Sequence, residues 1–198
     1  STDFYLQSLN IAGSEFQNEN WRRGIQMNIG LNFYELGDLQ TAQIYYKDAL
    51  SGMKVETMAD SVNKLIMVLN FASLLIDQEK FREANDTIAA VEPYGGKFGD
   101  SWDGNLYQSR ANYFTHVEEY DSATLYYRKF LETDSTGISL GQYAIGMANV
   151  KYGLADFDSA EYYLYLSFKE NSLIENNLSI LETYKVWQEM AQATGDYQ

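Results

Sequence analysis

The chain contains no cysteine, one proline and one histidine in 198 residues, and its 28 acidic side chains outnumber 14 basic ones. Each scarcity removes a class of chemistry. Without cysteine there is no disulfide, no thiolate nucleophile and no zinc–thiolate centre, and the lack fits either side of a membrane. The lone histidine, His116, stands beside Glu118 and Glu119, but a metal site or an acid–base pair needs several convergent groups and no second histidine is available. Catalytic residues, cofactors and metals are therefore not expected. At a net charge of −14, the basic residues occur singly or as the doublets Arg22-Arg23 and Arg128-Lys129. Nucleic acid requires a clustered basic footprint, so it is not an expected partner. The longest apolar stretch, Leu65 to Ile76, is broken by Asn70 and Ser73 and bounded by Lys64 and Asp77. It falls short of the roughly 20 residues of a membrane span, and this segment is not expected to contact a membrane.

What the chain does have is a pattern that recurs. Gly37-Asp38-Leu39 leads to Ala42, Tyr46 and Ala49; Glu79-Lys80-Phe81 to Ala84, Ile88 and Val91; Glu119-Tyr120 to Ala123, Tyr127 and Phe130; Asp156-Phe157 to Ala160 and Leu164; Gly195-Asp196-Tyr197 begins a further copy. The anchoring alanines are spaced by 42, 39 and 37 residues, a period that marks a stack of structural repeats. Within each copy the spacing i, i+4, i+7 lays an apolar stripe along one helical face. A second small residue (Gly30, Ala72, Ala111, Ala148) precedes each alanine by twelve positions. Two helices facing each other through small residues can approach closely. Gly37, Asp38 and Asp156 between them suit a helix end and a new start. The tyrosine doublets Tyr45-Tyr46, Tyr126-Tyr127 and Tyr162-Tyr163 are expected to place one ring in the core, four residues after the alanine, and its neighbour at the rim.

On these residues the chain resembles the tetratricopeptide repeat (TPR) family: the small residue, an aromatic three later (Phe33, Phe114), the turn, an aromatic or leucine (Leu39, Phe81, Tyr120, Phe157) and the alanine. The family period is nearer 34 residues, so these copies are longer. Lys151 at an aromatic site and Arg110 at a leucine site depart from the pattern. The resemblance implies an all-α, right-handed α-α superhelix of antiparallel hairpins forming a single array over residues 1–198. Its expected divisions are the second helix of a preceding repeat at 1–17, repeats at 22–57, 58–100, 101–137 and 138–176, and a truncated repeat at 177–198. Both ends cut through a repeat, so an excised piece of a longer solenoid is expected.

In that family the first helix of each hairpin lines a concave groove. The resemblance therefore assigns Met27, Leu31, Tyr34 and Glu35 to the groove, then Leu69, Ser73 and Asp77, then Gln108, Asn112 and His116, then Ile145, Asn149 and Tyr152, and finally Lys185 and Glu189. Asn112 and Asn149 directly follow the small alanine, where an asparagine in peptide-binding relatives pairs with ligand backbone through its amide. Asparagine is also simply common at such positions. Removing both is expected to weaken ligand binding and leave stability nearly unchanged. Met27 and Leu31 replace the lysine and asparagine that clamp a C-terminal carboxylate in one subclass, which disfavours that mode.

The glycine-rich stretch 91–104 lacks the glycine and the Ser/Thr of a phosphate loop, since Val91 and Phe98 stand there, and Trp102 occupies the second ligand place of a calcium loop. It is expected to be an enlarged connection packed down by Tyr94, Phe98 and Trp102. The implied function is a non-enzymatic module binding a peptide, a protein segment or a small polar ligand. Repeat length and an acidic, Tyr- and Asn-rich composition also resemble the TPR sensor regions of bacterial histidine kinases and membrane-bound transcription regulators. That likeness implies a periplasmic or other extracytoplasmic location, with a cytoplasmic one as the alternative, and a full-length protein anchored in a membrane. A structural scaffold acting through its convex face or ends is the competing expectation.

If the phase assignment is right, Ala84→Leu and Ala123→Leu each destabilise by about 1–3 kcal/mol through overpacking. Thermal melts of the two variants check this, and tolerance of leucine at both positions would show the phase to be wrong.

Overall fold

The computed structural model describes residues 19–52, 54–133 and 139–195. Among them are nine α-helices, one 3-10 turn and no strand, so the described chain is all-α. The helices are α1 (Glu19–Glu35), α2 (Leu39–Gly52), α3 (Met58–Asp77), α4 (Phe81–Ala89), α5 (Asp100–His116), α6 (Tyr120–Glu132), α7 (Leu140–Gly153), α8 (Phe157–Leu173) and α9 (Asn177–Thr194), with the 3-10 turn at Glu92–Tyr94. The second helix expected at 1–17 lies outside the described residues. The chain divides into two compact units, residues 1–94 and 95–198.

In the first unit α1 packs on α2, α2 on α3 and α3 on α4, and α1 also meets α3. The second unit follows the same scheme through α9, with α5 meeting α7 and α7 meeting α9. The recurring small residues are the contact points. Gly30, Ala72, Ala111 and Ala148 are buried, as are Ala42, Ala84, Ala123 and Ala160. At Gly30 the reason for a missing side chain is direct: a Cβ would sit 2.5 Å from Cδ1 of the Tyr46 ring. Tyr46 occupies that space at the centre of a cluster with Met27, Ala42, Ala49, Met67 and Leu74. Its ring meets Phe71 edge-on at 6.4 Å. Phe33 stacks on Tyr45 at 5.8 Å, and the equivalent pair in the second unit, Phe114 and Tyr126, stacks at 5.5 Å.

The tyrosine doublets follow the expected split twice. Tyr46 and Tyr127 are buried while Tyr45 and Tyr126 are half-buried. The third doublet is a correction: Leu164 stands four residues after Ala160 and fills the core, leaving Tyr163 half-buried and Tyr162 exposed. The departures at Lys151 and Arg110 have local partners. Lys151 pairs with Asp156 of the following turn at 3.1 Å, and Arg110, buried, lies 6.0 Å over the Tyr113 ring. The stretch 91–104 is not one connection. It holds the 3-10 turn and then the first residues of α5, where Trp102 is buried, while Tyr94 is exposed.

The helix ends share one device. Gly37, Glu79, Glu118, Ala155 and Glu175 all have positive φ, between 54° and 80°. Around the first, the N–H of Asp38 donates to the carbonyl of Phe33 and that of Gly37 to the carbonyl of Tyr34, both at 2.9 Å. The same pair of bonds closes α3, α5, α7 and α8. This is the Schellman arrangement, which needs a left-handed residue just past the helix and is normally glycine. Asp38, Asp156 and Asn176 then accept from the backbone N–H three residues on and start the next helix. The hydroxyls of Thr41 and Ser159 lead, with their backbone N–H groups, in holding the Asp38 and Asp156 carboxyls below the usual range, Lys151 adding to the effect at Asp156.

Helix α3 has the length and hydropathy of a membrane span. Seven of its side chains, Leu65, Met67, Leu69, Ala72, Leu74, Leu75 and Ile76, are buried within the unit, the role of a core helix. In the second unit α8 and α9 meet partly through a buried polar chain. The amide of Asn171 donates to the Ser167 hydroxyl at 3.1 Å, Ser167 and Thr183 share a proton at 2.9 Å, and Thr183 donates to the Ser179 carbonyl at 2.7 Å. Each hydroxyl has one proton, so the donation runs in one direction, from Asn171 to Ser179.

A non-glycine residue in the left-handed region costs about 1–2 kcal/mol, and glycine adds back about 0.5–1 kcal/mol of backbone entropy. Ala155→Gly should therefore stabilise the chain by about 0.5–1 kcal/mol. Denaturant unfolding measures it, and a lower midpoint for the variant would show that the turn is not strained.

Candidate functional site

A cleft of about 510 Å³ opens between α1 and α3 in the first unit. α1 contributes Asn20, Trp21, Gly24, Met27 and Asn28, and α3 contributes Asp60, Asn63, Ile66, Met67 and Asn70. The α3 residues recur every three or four positions, so one helical face supplies them all. Met27 and Met67 are buried and form the apolar floor with Ile66, while Trp21 is 46% exposed.

The polar lining divides into committed and open groups. Asn20 donates to Asp60 Oδ1 at 2.7 Å and to the Lys54 carbonyl at 2.9 Å, and accepts from the Lys54 N–H. Asp60 accepts from the Thr57 N–H and hydroxyl, and Thr57 accepts in return from the Asp60 N–H at 3.1 Å. This capping box satisfies the start of α3. The same bonds, led by the Thr57 hydroxyl, hold the Asp60 carboxyl below its usual range. The side-chain amides of Asn28, Asn63 and Asn70 have no hydrogen-bond partner among the described residues. The cleft thus offers three carboxamides, each both donor and acceptor, above a floor of methionine and isoleucine.

Of the groove residues expected in this unit, Met27 lies in the cleft. Tyr34 and Asp77 are not among its lining residues; they meet at the C-terminal ends of α1 and α3, the Tyr34 hydroxyl donating to Asp77 Oδ2 at 2.6 Å. Ser73 is half-buried and donates to the Leu69 carbonyl at 3.3 Å; Leu31 is half-buried and Glu35 exposed. Sequence reasoning missed these asparagines because it took the position three before each small residue (Met27, Leu69) and not the one two before (Asn28, Asn70) or the earlier turns (Asn20, Asn63). Counting back from Met27 and Ser73 by helical steps reaches their turns.

In the second unit the expected residues fall on α5, α7 and α9. Asn112 is half-buried, and its Oδ1 accepts from the Tyr127 hydroxyl at 2.7 Å. Burial pushes the Tyr127 phenol up to about 12. Asn112 is thereby tied into the hairpin, with its Nδ2 still to offer. His116 is exposed, its Nδ1 2.8 Å from the Asn112 carbonyl. Gln108 and Asn149 are half-buried, and the Asn149 amide has no partner among the described residues. Ile145 and Tyr152 pack against the cluster of Ala148, Leu164, Val186 and Met190, while Lys185 and Glu189 are exposed. Among the described residues no three His, Asp or Glu side chains converge as a metal site would require.

No protein-family model matches this chain, and no curated protein matches it. Solved structures do. The crystal structure of BtubC (BKLC) from P. vanneervenii superposes with a TM-score of 0.64 at 17% identity, covering 87% of this chain and 72% of that one. At that identity the similarity shows a shared fold alone.

Because Asn112 serves the Tyr127 hydroxyl, its removal is expected to cost stability as well as any ligand contact. Asn112→Ala should destabilise by about 1–2 kcal/mol, whereas Asn149→Ala should be near neutral. Thermal melts of both, repeated in a Tyr127→Phe background, separate the cases. An Asn112→Ala cost that persists without the tyrosine hydroxyl would assign it elsewhere.

Proposed function

We propose that the chain is a non-enzymatic binding module of the TPR type, a right-handed superhelix of antiparallel hairpins. On this reading the first helices form a concave face that receives a peptide or protein segment, or a small polar ligand. The observation that carries the reading is the α1–α3 cleft, with the open amides of Asn28, Asn63 and Asn70 above Met27, Ile66 and Met67. A carboxamide matches the donor and acceptor of a peptide bond, and an apolar floor takes the side chains between. Asn149 offers the same group in the second unit. Asn63 and Asn70 lie two helical turns apart, about 10 Å, close to three residues of extended chain at about 3.3 Å each. The chain's charge of −14 favours basic partners and speeds their encounter at low salt. Composition and repeat length further support a place in the sensor part of a larger bacterial signalling or regulatory protein, on the extracytoplasmic side.

A scaffold reading draws on a different observation. Leu178, Leu181 and Tyr184 form an exposed row on α9, next to exposed Leu173 at the end of α8 and Ile174 just after it. Such a row suits docking through an end of the array.

Selection from a phage library of random dodecapeptides, followed by calorimetric titration of the selected peptides, tests the cleft. Asn63→Ala and Asn70→Ala should each weaken binding by about 0.5–1.5 kcal/mol with unchanged melting temperature. Selected peptides that bind both variants and Asn149→Ala as tightly as the parent chain would rule the cleft reading out.

A further inference from the structure

Hairpin α3/α4 is lopsided. α3 has 20 residues and α4 nine, about 30 Å against about 13 Å at 1.5 Å per residue. The partners in α1/α2 and α5/α6 are closer in length, at 17 and 14 and at 17 and 13 residues. After α4 the chain enters the 3-10 turn that holds Pro93, which disfavours helix at the residue before it. The N-terminal half of α3 therefore outruns its partner. A second cavity of about 350 Å³ opens there, walled by Leu65, Val68, Val91, Val55 and Tyr94 around Lys64.

Lys64 is half-buried and has no ion-pair partner among the described residues. The carboxylate best placed to pair with it is Asp60, one turn earlier. Asp60 is held instead by Thr57 and Asn20 on the cleft side. The other polar side chains on this wall are Tyr94 and Ser61, and the Ser61 hydroxyl donates to the Thr57 carbonyl at 3.2 Å. A cation without a partner among apolar walls, in a chain whose net charge is −14, marks a place where one negative group is matched and a hydrocarbon body is buried.

We propose that this cavity binds a small apolar carboxylate, with its alkyl or aryl body against Leu65, Val68 and Val91 and its carboxylate on the Lys64 ammonium. The site is separate from the amide-lined cleft and does not depend on it. A free acid and the apolar C-terminal residue of a peptide present the same chemistry. The volume is near the lower end of the roughly 300–1,000 Å³ of ligand pockets, which favours the free acid.

Calorimetric titration of octanoate into the chain at about 0.15 M salt, where long-range repulsion is screened within about 8 Å, tests the assignment. The expected result is saturable binding of one octanoate, weaker binding of 1-octanol, and weaker binding of a tripeptide ending in leucine. Lys64→Met should weaken octanoate binding by about tenfold or more. Ala90→Trp, at an exposed position on the cavity wall, should occlude the site and abolish binding while the melting temperature stays near that of the parent. Absence of saturable octanoate binding, or binding undiminished in either variant, overturns the proposal. A tripeptide that outbinds octanoate overturns the assignment to a free acid.

Discussion

Two helices can lie against each other closely only where neither carries bulk, and this contact sets the frame of the chain. In every described hairpin with a recognisable repeat, the left-handed residue stands seven positions after the first small residue and five before the second: Gly30, Gly37, Ala42; Ala72, Glu79, Ala84; Ala111, Glu118, Ala123; Ala148, Ala155, Ala160. The Schellman bonds close the first helix at a fixed place, and a fixed number of residues then brings the second small residue level with the first. The turn is thus the device that sets the register. Its geometry is kept at Glu79, Glu118 and Ala155 despite the steric cost of a Cβ in that conformation, because a shift of one residue would rotate Ile88, Tyr127 or Leu164 out of the core by about 100°.

The interface of α8 with α9 obeys a different rule. Thr183 and Ser167 are fully buried, and they join the two helices through hydroxyls where other hairpins use rings. Asn171 feeds this chain of donors, and Gly141 of α7 is glycine because a Cβ there would lie 2.6–2.7 Å from the Asn171 amide. Hydrogen bonds between buried groups add little net stability, but leaving one unmade is costly. The network therefore fixes how α9 docks more than how strongly it holds. With that face of α9 polar, several of its large apolar side chains, Leu178, Leu181 and Tyr184, are left on the outside.

The packing was legible in the sequence wherever a side chain's size decided the matter. The small residues and the first two tyrosine doublets could be placed from spacing, since a core register admits few alternatives. The third doublet misled because Leu164 and Tyr163 are both apolar, and spacing alone does not rank leucine above tyrosine for one site. Trp102 was read as part of a connection because Gly99 and Gly104 flank it. Gly104 is in fact helical, and its missing side chain leaves room for Thr133, whose Oγ1 would lie 2.7 Å from a Cβ. The cleft was harder to see. Its amides sit on α1 and α3 before the small residue that sets the phase, and nothing in their spacing distinguishes a lining asparagine from a solvated one. Asn112 shows the converse: the residue singled out for a ligand has its carbonyl oxygen bonded to Tyr127, a partner fifteen residues away that only the folded hairpin brings within reach.

The cleft and the Lys64 cavity share helix α3, and the capping box at its start holds the acid of that helix on the cleft side. Residues 60, 63, 67 and 70 face the cleft, and residues 61, 64, 65 and 68 face the second cavity. Asp60 and Lys64 are spaced to pair across one turn. Thr57 draws the Asp60 carboxylate back to the helix start, and Asn20 of α1 fixes it there at 2.7 Å. The acid is then spent on closing α3 and holding α1 beside it, and Lys64 is left to the other face. One helix so presents uncharged amides beside a hydrogen-bonded carboxylate on one side and a cation without an ion-pair partner among the described residues on the other. On the two readings proposed above, a ligand that needs a counter-charge and one that needs only amide hydrogen bonds go to opposite faces of α3.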